Sequence, residues 1–518
     1  MPNSSISIAQ YYHERTKYSP EILQQGSEID WDKQPVPFKE YPIGVAFDLK
    51  PYLQESTIAD YLHDPNELFW YRLSRLFVCS YGLTGMIPNN GEPYYLRAAP
   101  SAGGLYPAEM YLISRGTPQL PAGLYNYQAK THSLLHFWES ELWTALQSAC
   151  FWHPALEGTQ LALVITDVFY RSAWRYQDRA YRRICLDTGH LLGNLELAGS
   201  VTDFRPHLIG GFADQAMNDL LYLAPEQEGT MAVVALADRR LVNQNLPLSK
   251  TALPSHTQAD YPRKMPNGLL LRYLHQATEI EMSEAKVDWK IPTAETDRVD
   301  KYNFPFCLKV PMATTPILWG PELTGLEDTL LNRRSTRDYS GEPITLTDLQ
   351  AILSFTYQPQ QYIDQQLDRS PDYFDLNLVE TFIAVSGVTG LEEGCYYYAP
   401  KAQELRQIRF KNFRQELHYL CLGQTLGRDA AAVIFHTADL SAAIEQYGDR
   451  AYRYLHLDAG HLGQRLNLAA IRLGLGVSGI GGFFDDQVNE VLGIPADEAV
   501  LYITTLGQPW QNPRTQQP

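Results

Sequence analysis

Residues 176–199 read YQDRAYRRICLDTGHLLGNLELAG, and residues 447–470 read YGDRAYRYLHLDAGHLGQRLNLAA. The two stretches are related by a constant shift, 447 − 176 = 271. The same shift carries EMYLIS from Glu109 onto ETFIAV from Glu380, and IGGFAD (Ile209–Asp214) onto IGGFFD (Ile480–Asp485). One offset held over three separated segments marks a duplication, and a period this long means two homologous domains rather than a solenoid. The length of 518 residues independently implies more than one core.

Working outward from the repeat divides the chain. Residues 1–50 form a polar, Pro-containing N-terminal extension. Residues 51–240 hold the first copy, residues 241–320 a Pro-rich connecting segment, and residues 321–512 the second copy. Within the connection, GLLLRYLHQATEIEM reads as a helix, so it is not a slack linker. In the repeated stretch, Ile184, Leu191, Leu192, Leu195 and Leu197 fall at roughly helical spacing, which predicts a long, largely buried helix in each copy. MYLIS, LALVIT, MAVVALA, TFIAV, AAVIFHT and VLYITTL are short β-rich runs. The elements do not alternate in a βαβ rhythm, so the expected class is α+β, a mixed sheet with helices packed on it.

Composition narrows the function. A hydrophobic content of 45% supports sizeable cores, and a net charge of −17 argues against nucleic-acid and anionic-membrane partners. No apolar run approaches the ~18 residues of a membrane span, and the first residues lack a signal-peptide pattern. The six scattered cysteines include no C-x-x-C pair and read as buried thiols, which gives a cytoplasmic expectation.

The copies differ where chemistry would sit. The first contains PSAGG (100–104), and the 271 shift places Asp372, Phe374 and Asp375 at Ser101, Gly103 and Gly104. The second opens with LLNRRSTRDYS. Counted back from LSRLFVCSY against LQAILSFTY at an offset of 276, Arg333, Ser335 and Arg337 fall on Thr57, Ala59 and Tyr61. R-R-S-T-R gathers guanidinium groups and a hydroxyl; if Asn332 or Ser335 opens a helix, free amides join them in a phosphate cradle. The bland alternative is a solvated basic helix start. PSAGG and I-G-G-F offer bare backbone to a flat ligand, or are plain turns. GLGVSG (474–479) fits a dinucleotide fingerprint in letters only, because it follows a helix instead of a strand. His190 and His461 lack a second ligand in spacing and read as core histidines, with no metal site.

As an ordered set, PSAGGLYPAEMYL, RRSTRDY, YGDRAYRYLHLDAGH and IGGFFDD resemble the nitroreductase-like flavoproteins, in particular the SagB-type dehydrogenase branch that includes thiazoline and oxazoline oxidases. The resemblance implies two nitroreductase-like domains paired as an intramolecular pseudo-dimer, with a higher oligomer left open, and FMN at the interface. Arg333, Ser335 and Arg337 would hold the phosphate. Gly481 and Gly482 would lie by the flavin N5, and Pro100, Ser101, Gly103 and Gly104 would line the ring from the other half. The second, symmetry-related site lacks both sets, which implies one FMN per chain. The family's Lys–Tyr catalytic pair aligns with Arg175 and Tyr176; an arginine stays protonated and cannot be the base. The expected activity is FMN-dependent oxidation of an azoline-type or other small-molecule or peptide substrate. The alternatives are an NAD(P)H-driven reductase of nitroaromatics, quinones or enones, and a flavin- or peptide-binding scaffold without turnover.

Overall fold

The structure, a computed structural model, describes residues 7–24, 29–54, 58–88, 93–138, 140–241, 244, 246–255, 265–291 and 298–510. Thr57, one of the compared positions, lies outside them.

Two seven-stranded sheets form, one per copy, with matching strand order. Across the first run residues 45–48, 133–138, 123–128, 108–114, 161–168, 228–238 and 204–209. Across the second run 309–311, 404–409, 394–399, 380–385, 432–439, 498–507 and 476–480. Pairing inside each sheet is antiparallel, and a parallel pair, 344–345 with 388–389, sits in a separate two-stranded sheet. All six β-rich runs noted in the sequence are strands. The central strands are buried along nearly their whole length, because helices cover what an antiparallel sheet otherwise leaves to water. The edge strands 45–48 and 309–311 come from the extension and the connection, so these segments contribute to the sheets.

The repeated stretches become the helices Ala180–Val201 and Ala451–Arg472, each 22 residues long. Nearly every side chain on both is buried. A helix buried all round needs contacts on every face, and the closest are between the two helices. They cross where Gly189 meets Gly460: a Cβ on Gly189 would lie 2.2 Å from the Leu457 carbonyl oxygen, and one on Gly460 2.3 Å from that of Leu186. Only glycine lets two helix backbones approach so closely. The two domains therefore form an intramolecular pair around one helix–helix contact.

Buried ion pairs lock this pairing with the same symmetry. Arg179 and Arg182 reach across to Asp485 at 2.9 and 2.6 Å, and Arg450 and Arg453 reach across to Asp214 at 2.9 Å or less. A second layer follows the same rule. Arg182 Nη2 donates to Thr16 Oγ1 at 2.9 Å, and Arg453 Nη2 to Thr278 Oγ1 at 2.6 Å. The helices Ile8–Arg15 and Leu270–Ala277 deliver these threonines. They carry a repeat that the 271 offset hides: YYHERT (11–16) and YLHQAT (273–278) are 262 residues apart. His13 and His275 contact Tyr452 and Tyr181 in the same symmetric way.

Candidate functional site

The PSAGG segment makes one tight turn. Ser101 is extended, and Gly103 and Gly104 have φ of 68° and 66°, the left-handed region where a Cβ clashes with the backbone. Asp187, on the first central helix, holds the turn: Ser101 Oγ donates to it at 2.6 Å and the Ala102 amide at 3.1 Å. Burial pushes the Asp187 carboxyl up to about 7. The space above Gly104 is open, with nothing within 4 Å of a Cβ built there. A Cβ on Gly103 would lie 2.8 Å from Tyr176 Oη and 3.1 Å from Arg175 Nη1, so that pair closes against the turn. Burial raises the Tyr176 phenol, opposed by Arg183 and Arg175, and the net direction is upward. Tyr176 therefore keeps its proton at neutral pH.

The R-R-S-T-R segment corrects one expectation. It does not open a helix at Asn332 or Ser335. The helix Thr324–Asn332 ends there, and Arg333 leaves the helical region at ψ 126°. The next helix, Leu346–Tyr357, starts only at a Thr345/Asp348 capping box. The cradle thus has no helix dipole behind it. Arg333 is buried and donates to the Ala98 carbonyl at 2.6 Å and to that of Arg97 at 3.4 Å, so it grips the chain just before Pro100. Burial lowers it to about 10, which leaves it charged. Arg334 donates to Thr84 in the hairpin formed by Leu83–Ile87 and Tyr94–Arg97.

One cavity of about 430 Å³ collects these parts where the halves meet. Pro100, Ser101, Gly103 and Gly104 line it from the first half, and Ser335, Arg337 and Gly481 from the second. Arg333, Gly482, Arg175 and Tyr176 are not in its lining. Gly482 lies just behind, where a Cβ would be 3.1 Å from Leu422. Among the described residues, nothing accepts from the Gly481 and Gly482 amides. Arg183 also lines the cavity. It is buried with its guanidinium 3.9 Å over the Tyr176 ring, and its Nη1 has no hydrogen-bond partner among the described residues. The volume suits a small molecule, and open amides and bare glycines suit a flat one.

The symmetry-related position is filled. The Gly210 and Gly211 amides both donate to the Thr251 carbonyl, at 2.7 and 3.0 Å. A Cβ on Gly210 would strike the Phe374 ring at 2.4 Å, and one on Gly211 the Leu253 side chain at 2.5 Å. Phe374 stacks on Tyr454 at 4.6 Å. Asp458 still holds the replaced turn, accepting from the Phe374 and Asp375 amides at 3.0 and 2.9 Å.

His190 lines the open cavity but is satisfied by Gln464 and Tyr502, at 2.7 and 2.8 Å, and burial lowers it to about 3, so it stays neutral. GLGVSG contributes the strand Gly476–Ile480 after a helix and opens no helix of its own. Sequence reasoning missed Asp187 and Arg183. Asp187 is legible as the aspartate shared by LDTGH and LDAGH, and Arg183 as the arginine that replaces Tyr454.

Among the described residues, no helix is long and apolar enough to cross a membrane. The chain is similar to several known proteins. A candidate nitroreductase from Anabaena variabilis has a crystal structure that is 67% identical, with a TM-score of 0.92, covering 98% of this chain and 100% of its own. A candidate nitroreductase of Methanocaldococcus jannaschii, MJ1384, is 34% identical over 169 residues, 33% of this chain and 84% of that relative. An NADPH:FMN oxidoreductase from Vibrio harveyi, solved with NAD+, is 23% identical with a TM-score of 0.26, covering 37% of this chain and 72% of its own. The Nitroreductase family model matches residues 72–237 and 330–508, one match in each copy, and the chain belongs to the nitroreductase family.

Proposed function

We propose that the chain is an FMN-dependent oxidoreductase with a single flavin site, assembled from both halves. The observation that carries this reading is the contrast between the two related positions. One is an open cavity with unclaimed amides at Gly481 and Gly482; the other has its amides taken by Thr251 and its space by Phe374 and Leu253. Ser335 and Arg337 are assigned to the phosphate. Gly103 and Gly104 are assigned to the ring from the opposite side, with Pro100 and Ser101 shaping the turn and Arg333 bracing it. In the same reading each copy begins at its own Tyr-x-His-x-x-Thr helix.

Bound FMN supplies hydride acceptance and donation, chemistry no side chain here can perform. The protein contributes orientation and protons. Tyr176, kept as a phenol by burial and set beside Arg175, presents a hydrogen-bond and proton donor to a substrate over the turn. That arrangement fits reduction, with NAD(P)H as electron source, because a reduced product needs a proton. The SagB-type reading, oxidation of an azoline-type ring, needs a base instead. One observation favours it: Asp187 lines the cavity with its carboxyl near neutrality.

Two expected results test the assignment. Arg337→Ala should weaken FMN binding by about tenfold to a hundredfold, the loss of one charge-assisted contact; unchanged flavin retention on desalting removes Arg337 from the phosphate site. Tyr176→Phe should lower turnover by roughly tenfold to a hundredfold at unchanged flavin content, within the usual range for general acid catalysis. A mutant as active as the parent with NAD(P)H and a quinone takes Tyr176 out of the reaction.

A further inference from the structure

We propose that Arg183 and Arg175 form a recognition site for a carboxylate on the substrate, seated above Gly104 beside Tyr176. The inference rests on the flavin reading above and adds the substrate's charge. At the 271 shift, Gly104 corresponds to Asp375, Arg175 to Gln446, Tyr176 to Tyr447 and Arg183 to Tyr454. In the filled half, Asp375 puts a carboxylate into the space. Its Oδ2 accepts from Gln446 Nε2 and from Tyr447 Oη, each at 3.1 Å. The protein therefore carries, in one half, its own carboxylate bound by the counterparts of Arg175 and Tyr176.

In the open half the carboxylate is missing and the cations are added. Gly104 has no side chain and free space above it. Gln446 is replaced by Arg175 and Tyr454 by Arg183. Tyr454 is fully used, donating to the Gly210 and Leu253 carbonyls and stacking on Phe374. Arg183 is not: its Nη1 is buried without a hydrogen-bond partner among the described residues. Asp187, one helical turn further along, turns its oxygens to Ser101 and Ala102. Asp187 feels the Arg183 charge, but a buried N–H left without an acceptor costs free energy, so an anion arriving from outside recovers a penalty already present in the fold. A guanidinium pair with an adjacent phenol favours a planar carboxylate. Such a group could belong to a free aromatic acid or to the C-terminus of a peptide.

The test is calorimetric titration of the FMN-reconstituted full chain with benzoate, benzamide, and the tripeptide Ala-Ala-Phe with free and amidated C-terminus. Flavin content is measured separately. Benzoate is expected to bind at least about tenfold more tightly than benzamide, the worth of one charge-assisted contact. Tighter binding of the free peptide than of the amide assigns the peptide source, and a response to benzoate alone assigns the small acid. Arg183→Met should weaken benzoate by about tenfold to a hundredfold and leave benzamide and flavin content unchanged. Arg175→Gln, which copies Gln446 at an exposed position, should weaken benzoate without touching the fold. Equal affinity for acid and amide overturns the proposal, as does unchanged benzoate binding in Arg175→Gln together with either unchanged binding or lost flavin in Arg183→Met. A chain that discriminates acid from amide but holds no flavin keeps the carboxylate site and removes the flavin reading; a flavin-loaded chain that does not discriminate does the reverse.

Discussion

Asp485→Ala is expected to destabilise the protein by about 3–5 kcal/mol, the cost of removing one partner from a buried ion pair. The carboxylate is 2% exposed and meets two arginines, Arg179 and Arg182, which are themselves buried and come from the other half. Its loss strands two guanidinium groups at the domain interface. Thr16 keeps its hydrogen bonds to both, so the damage falls on charge rather than on packing. Chemical denaturation monitored by circular dichroism reads the effect as a shift in midpoint at similar slope. The pH dependence has a defined sign. Burial raises the Asp485 carboxyl, Arg179 and Arg182 lower it by more, and it ends below its ordinary value of 3.8. The stability it contributes is therefore present above that value and lost as pH falls through the lowered one. Asp214, facing Arg450 and Arg453, behaves the same way. A variant with parental stability at neutral pH would show that the ion pairs do not hold the halves together.

Gly189→Leu is expected to cost about 3 kcal/mol or more, the upper end for overpacking. A Cβ alone would sit 2.2 Å from a backbone oxygen of the opposite helix and 2.8 Å from the Gly460 Cα. Neither is the movable end of a side chain, so the helices must separate. Separation opens the interface cavity as well, so flavin retention should fall along with the melting temperature. Unchanged melting would mean the helices do not cross here.

The duplication was the most legible feature, because a constant offset needs no structural knowledge to see. The strands were legible from short β-rich runs, and the central helices from spacing and repetition. The extension and the connection were not. Their shared Tyr-x-His-x-x-Thr helices are 262 apart rather than 271, so the unequal spacing that separates them from the sheets hid them. The helix start expected at Asn332 or Ser335 failed because charge and hydroxyl patterning resemble a cap, whereas the backbone at Arg333 leaves the helix. Arg333 itself was read by its charge, but its guanidinium serves two carbonyls of the opposite half, a contact 235 residues away in sequence that no local pattern encodes. The filling of the second position by Phe374 was visible as a lost glycine. The part played by Thr251 and Leu253 was not, since a carbonyl oxygen aimed at two amides leaves no mark on residue type.

Flavin stoichiometry tests the single, shared site most directly. The chain is reconstituted with excess FMN and desalted, and the flavin released by heat is divided by chain concentration. The expected ratio is one: Ser335, Arg337, Gly481, Gly103 and Gly104 meet at one cavity, while Thr251, Leu253 and Phe374 occupy its counterpart. A ratio near two would contradict the filled second position, and a ratio near zero would contradict the flavin site itself.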